Sequence, residues 1–147
     1  MQNDFSGLFS RMFSSSLSGG NQGEIVSRDI SIENENYVYQ IYIPPQIKDG
    51  TSLPLIVFLH GIRERGSGGF VSGMFATLVK QYLKAIPAVI LLPQCRPNMF
   101  WRDAQMDRMV MREIKAVSEE FSIDIKRQYL LGISMGGYGV WHFAAGY

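Results

Sequence analysis

Leu55 to Leu59 (LIVFL) and Ala88 to Leu92 (AVILL) are short, uninterrupted apolar runs. Neither alternates with polar residues, so each suits a strand covered on both faces, as strands in a parallel sheet are. Between them, Phe70 to Ala85 places Met74, Leu78, Tyr82 and Ala85 at three- and four-residue spacings. That spacing predicts a helix, and Pro87 closes it. A third, shorter apolar run, Gln128 to Leu131 (QYLL), follows a second helical pattern. In that pattern Asp103 stands as N-cap, and Met106, Met109, Val110, Ile114, Val117 and Phe121 share one face.

Ahead of this alternation, Glu24 to Ile32 and Tyr37 to Ile43 (YVYQIYI) read as strands, joined by turn residues at Asn34 to Asn36. Pro44-Pro45 stops the second, and Lys48-Asp49-Gly50 marks another turn. The order is a hairpin followed by strand–helix alternation. It predicts an α/β fold with a mostly parallel sheet, an N-terminal hairpin and helices on its faces. Residues 24–147 form the N-terminal portion of one domain in this reading, preceded by a flexible, Ser- and Gly-rich leader over residues 1–23.

Composition excludes several function classes. The 147 residues carry a net charge of +1 with Lys and Arg dispersed, which offers no electrostatic footprint for nucleic acid. No run of 18 apolar residues is present, so no membrane span is expected. The single cysteine, Cys95, can form no internal disulfide and no zinc site alone, so no metal is expected. It leans the expected compartment toward the cytoplasm.

Chemistry is carried by Gly132-Ile133-Ser134-Met135-Gly136, a G-x-S-x-G strand-to-helix turn. A serine projecting from so sharp a turn needs small residues on both sides, because bulkier ones would strike the strand or the helix. Ser134 then lies at a helix N-terminus, where backbone N–H groups favour developing negative charge. The Met135 N–H is one candidate oxyanion donor. The loop after the LIVFL strand, His60-Gly61-Ile62, supplies the second from the Ile62 backbone. The bare pattern is weak; an apolar strand directly before it and a helix after it give it weight. The bland alternative is a Gly-rich turn with an incidental serine.

LPLIVFLHGIRERG, AVILLPQCRPNMFW and IDIKRQYLLGISMGGYGVWHFA together resemble the predicted-peptidase or esterase branch of the α/β-hydrolases. Feruloyl-esterase-like and polyhydroxybutyrate-depolymerase-like proteins are its relatives. The resemblance covers residues 24–147. It implies an α/β-hydrolase fold, no cofactor, and a serine hydrolase with Ser134 as nucleophile and the Met135 and Ile62 N–H groups as oxyanion donors. It also places Gln94 and Trp101, with His60 nearby, beside the mouth of the site. Family loops often read His-Gly-x-Gly-Glu-Arg-Gly; here Arg63 takes the place of the second glycine, which puts the loop geometry behind the Ile62 assignment in question.

In this architecture an acid and then a histidine follow the serine. The residues after Ser134 hold no Asp or Glu, and their one histidine, His142, lies about 12 Å along the same helix at 1.5 Å per residue. His142 therefore reads as a packing or surface residue, and the acid and base are expected beyond Tyr147 in a C-terminally truncated chain. The Gln128–Leu131 strand then leaves an apolar edge open to self-association. Arg63-Glu64-Arg65 reads as a solvated loop, and Cys95 as a loop filler. The expected partner is a small ester or peptide substrate. Two alternatives stay open: a non-catalytic, hydrolase-like binding module, and an acyltransferase on the same scaffold.

Overall fold

A computed structural model describes residues 23–47, 50–69 and 85–147. Five strands form one sheet: β1 (Glu24–Ile32), β2 (Glu35–Ile43), β3 (Leu53–Leu59), β4 (Val89–Leu92) and β5 (Ile123–Gly132). Among the described residues two α-helices accompany them, α1 (Ala104–Glu120) and α2 (Met135–Gly146). The strand order is β1-β2-β4-β3-β5. The sheet is mixed: β1, β2 and β4 pair antiparallel, while β3 pairs parallel with both β4 and β5.

The hairpin turns on Glu33 and Asn34 alone, both at positive φ (51° and 67°). Two consecutive left-handed residues match the twist of the flanking strands, and asparagine tolerates that conformation well. The turn is therefore one residue earlier than the asparagine-rich segment suggests, and β2 begins at Glu35. The expected helix over residues 70–85 and the leader fall almost wholly outside the described residues, as do Lys48 and Asp49 of the turn that ends at Gly50.

β3 sends Leu53, Leu55, Val57 and Leu59 to one face, all buried. They meet Tyr37, Tyr39 and Ile41 of β2, Val89 and Leu91 of β4, Met106, Met109, Val110 and Val117 of α1, and Met135 and Phe143 of α2. Both described helices thus cover the same face. The opposite face holds a smaller cluster of Tyr42, Ile90 and Leu92 with Ile25, Ile56 and Phe58. β4 is buried on both faces, as its unbroken run requires. β3 is fully buried on one face and half-buried on the other.

β5 is longer than its apolar run. It begins at Ile123 and includes Asp124, Lys126 and Arg127: Arg127 Nε meets Asp124 Oδ2 at 2.7 Å, and the Lys126 backbone N–H donates to Asp124 Oδ1 at 2.9 Å. The register against β3 shifts there, with Ile123 opposite Leu53 and Gln128 opposite Leu55. Pro54, which has no N–H for a ladder, sits in that irregularity. Beyond it the pairing is regular through Leu59 opposite Gly132.

Candidate active site

That last pair places the two functional loops side by side. The chain leaves β3 at Leu59 into His60-Gly61-Ile62 and leaves β5 at Gly132 into Ile133-Ser134. The Ile133 N–H donates to the Leu59 carbonyl at 3.1 Å, pinning the elbow to the end of β3. A Cβ on Gly61 would stand 3.7 Å from the Ser134 Cβ. Since β4 and β5 lie on opposite sides of β3, the chain reverses direction across the sheet here. The crevice beyond the carboxyl ends of such strands is where ligands bind in open α/β sheets.

Ser134 has φ 53° and ψ −116°, a conformation an L-residue adopts only under constraint, and its side chain is exposed. The flanking glycines explain the constraint. A Cβ on Gly132 would be 2.3 Å from the Gly136 carbonyl oxygen, and one on Gly136 would be 1.9 Å from that of Leu59. No side chain fits either position. Ser134 is the N-cap of α2 but makes no side-chain capping bond, so its hydroxyl is not spent on the helix. The Met135 and Ile62 N–H groups find no acceptor among the described residues.

The loop after β3 makes a short 3-10 turn over Ile62–Glu64. Arg63, which replaces the family glycine, is not among the positive-φ residues, so this turn does not need glycine there. Arg65 is tied to the carbonyls of Ile62 and Met99, each at 3.2 Å.

His60 and Gln94 do not line the cavity above Ser134; they hold its walls from behind. The Cys95 N–H donates to His60 Nε2 at 3.0 Å, which leaves the ring proton on Nδ1 to donate to the Gly61 carbonyl at 2.6 Å. Burial lowers the His60 pKa, partly countered by that carbonyl and by Glu64. A neutral ring with both nitrogens engaged has no lone pair free for Ser134. Gln94 takes the Gly69 N–H at 2.7 Å and donates to the Glu64 carbonyl at 3.0 Å. Burial raises the Cys95 thiol to about 12, and its Sγ bonds the Met99 carbonyl, so it is no nucleophile.

Trp101 both anchors and lines. Its Nε1 donates to the His60 carbonyl at 3.0 Å and its ring meets His60 edge-on at 4.9 Å. Its other side joins Ile62, Phe100, Arg102, Ser134, Met135, Tyr138, Gly139 and His142 around a cavity of about 560 Å³. The roles of Phe100 and Arg102 are not legible from sequence alone. A signal was available for Tyr138 and His142: they follow Ser134 at four and eight residues, the spacing of one helix face. His142 faces the cavity two turns from the serine, with Nε2 at 3.0 Å from Asp107 Oδ2. Asp107 also accepts from the Tyr147 hydroxyl. Neither described histidine bonds Ser134.

No family model matches the sequence, nor does any curated protein. Solved structures do. A thermostable esterase is 28% identical with a TM-score of 0.74, over 84% of this chain and 38% of that one. An S-formylglutathione hydrolase from Agrobacterium tumefaciens is 18% identical with a TM-score of 0.65, over 83% of this chain and 53% of that one. A ferulic acid esterase is 17% identical with a TM-score of 0.66, over 82% of this chain and 54% of that one. The chain thus spans about half the length, or less, of the structures it resembles.

Proposed function

We propose that this chain, which carries the N-terminal part of the α/β-hydrolase fold, bears the nucleophile and oxyanion pocket of a serine esterase. The observation that carries the reading is Ser134. It is held exposed at positive φ between two glycines that admit no side chain, beside two N–H groups without acceptors among the described residues. In this reading Ser134 Oγ attacks the ester carbonyl carbon. The Met135 and Ile62 N–H groups hold the resulting oxyanion, the alkoxide leaves, and water releases the acid from the acyl-enzyme. The proton acceptor lies outside the described residues, because His60 is engaged at both nitrogens and His142 is two helical turns away. Hydrolysis of para-nitrophenyl acetate by the protein and by Ser134→Ala, purified side by side, tests this: turnover lost in the variant shows that a base reaches Ser134 and supports the reading, and equal rates overturn it for this chain, leaving a nucleophile scaffold without its chemistry.

The absence of a histidine bonded to Ser134 among the described residues favours a second reading, a binding module that keeps the hydrolase scaffold without turnover. Equal rates for the two proteins, with a ligand still bound in the cavity, would select it.

We also propose self-association along β5, the last strand of the described sheet. Tyr129 and Leu131 are about half exposed there, and Trp141 on the adjoining α2 is 79% exposed. Such an apolar edge invites a second strand. Light scattering should show a mass that rises with concentration and falls for Leu131→Lys; a concentration-independent monomer overturns it.

A further inference from the structure

Arg102 stands in the wall of the Ser134 cavity with its guanidinium unclaimed. Each other cavity-lining side chain is apolar, aromatic or neutral in form, apart from His142, which is already matched to Asp107. Among the described residues no carboxylate lies within 4.0 Å of Arg102, and no hydrogen bond from its side chain reaches one of them. Its neighbour Asp103 is turned away, accepting from the Phe100 N–H at 2.8 Å. Arg28, Arg96, Arg108 and Arg127 each pair with a carboxylate and Arg65 is spent on two carbonyls, while Arg63 and Arg112, like Arg102, pair with no described carboxylate but do not line this cavity.

The guanidinium is nonetheless placed. It sits 5.8 Å from the centroid of Phe100, whose ring also carries Arg65 at 5.6 Å. A cation over an aromatic face is attracted to it, so Phe100 keeps Arg102 at the cavity wall. The N-terminus of α2 at Ser134 adds positive potential to the same space. Among the described lining residues there is no Asp or Glu to oppose it.

We infer that Arg102 selects the substrate: the ester taken by this site has an apolar body that packs on Phe100, Trp101 and Tyr138 and bears a carboxylate that Arg102 holds. The inference rests on the esterase reading for the word ester, but not for the preference, which is a property of the wall. Arginine meets a carboxylate with two parallel N–H···O bonds, a geometry lysine cannot supply. A neutral ester of the same shape would leave the guanidinium without a counter-charge.

Binding can be measured without turnover. Para-acetamidobenzoate and para-acetamidobenzamide differ in one group, carboxylate against neutral amide, and neither is an ester. Ligand-observed NMR titrations of the protein, Ser134→Ala, Arg102→Ala and Arg102→Lys would give a Kd for each. The expected result is roughly tenfold tighter binding of the carboxylate by the protein and by Ser134→Ala. Arg102→Ala should lose that preference while keeping its affinity for the amide, Arg102→Lys should keep part of it, and added salt should weaken the carboxylate alone. Equal affinities for the two ligands, a preference that survives Arg102→Ala, or no binding of either overturns the inference. The two proposals fail separately: carboxylate preference in a protein whose para-nitrophenyl acetate hydrolysis equals that of Ser134→Ala removes the esterase reading and leaves Arg102 its role.

Discussion

A Cβ on Gly136 would stand 1.9 Å from the carbonyl oxygen of Leu59, so the first turn of α2 and the end of β3 touch backbone to backbone. Real Cβ atoms do not approach oxygen so closely. Gly136→Ala must therefore push the elbow off β3, breaking the Ile133–Leu59 bond with it. The expected cost is about 3 kcal/mol or more, read as a lower midpoint in urea. A variant as stable as the parent would mean that the elbow is not seated as described.

Ser134 bears its strain for position, which can be read by removing its side chain in two ways. Alanine keeps the penalty of φ 53°, whereas glycine does not. Ser134→Gly should be more stable than Ser134→Ala by about 1 kcal/mol, although glycine ordinarily loses such comparisons. Thermal unfolding of the pair decides it, and a more stable alanine variant would count against a strained elbow.

His60 gives the fold an acid-sensitive joint. Burial holds its folded-state pKa below the ordinary 6.5, so the unfolded chain binds the proton first. Stability is then fully present above about pH 6.5 and is lost as pH falls toward the folded value. A proton on Nε2 would also face the Cys95 N–H donor. An NMR titration should find this imidazole still neutral, with the proton on Nδ1, when an unfolded histidine is already half charged. Charging at the ordinary pH would refute the arrangement.

Glu113 works with the opposite sign. It is wholly buried on α1, neither carboxylate oxygen has a hydrogen-bond partner among the described residues, and burial raises its pKa well above 4.5. The nearby Tyr39 hydroxyl is pushed up to about 12, chiefly by burial and next by Glu113. Stability is full below pH 4.5 and declines as pH rises toward the folded-state value, by about 1.4 kcal/mol per unit. Glu113→Gln should abolish that slope, and Glu113→Leu should raise stability at neutral pH by about 2 kcal/mol. Denaturation at several pH values measures both; parallel curves for parent and Glu113→Gln would rule the account out.

Glu113 also shows where sequence reading stops. Met106, Met109, Val110 and Val117 mark a buried stripe on α1, and position 113 falls on that stripe. Residue type pointed outward, geometry inward, and the packing of α1 on the sheet prevailed. Local patterns were sufficient where a feature is set by near neighbours, as with the LIVFL and AVILL strands and the strand–turn–helix around Ser134. They were insufficient where distant segments meet. Nothing near Asp103 says that its carboxylate leaves the helix N–H groups for the Phe100 N–H. Nothing near Arg102 says that it shares a wall with Ser134. The charged start of β5 lies outside the Gln128–Leu131 run because its strand pairing depends on β3.

The pairing of Leu59 with Gly132 has a kinetic consequence. Neither half of the site can form by itself, since the elbow is pinned to a carbonyl from a strand far earlier in the chain. Closing that long loop comes late and slowly during folding. Conversely, any fluctuation that peels β5 from the sheet dissolves the nucleophile's turn and frees the Ile62 loop together. Hydrogen exchange should therefore find Ile133 and the β3–β5 ladder opening as one cooperative unit.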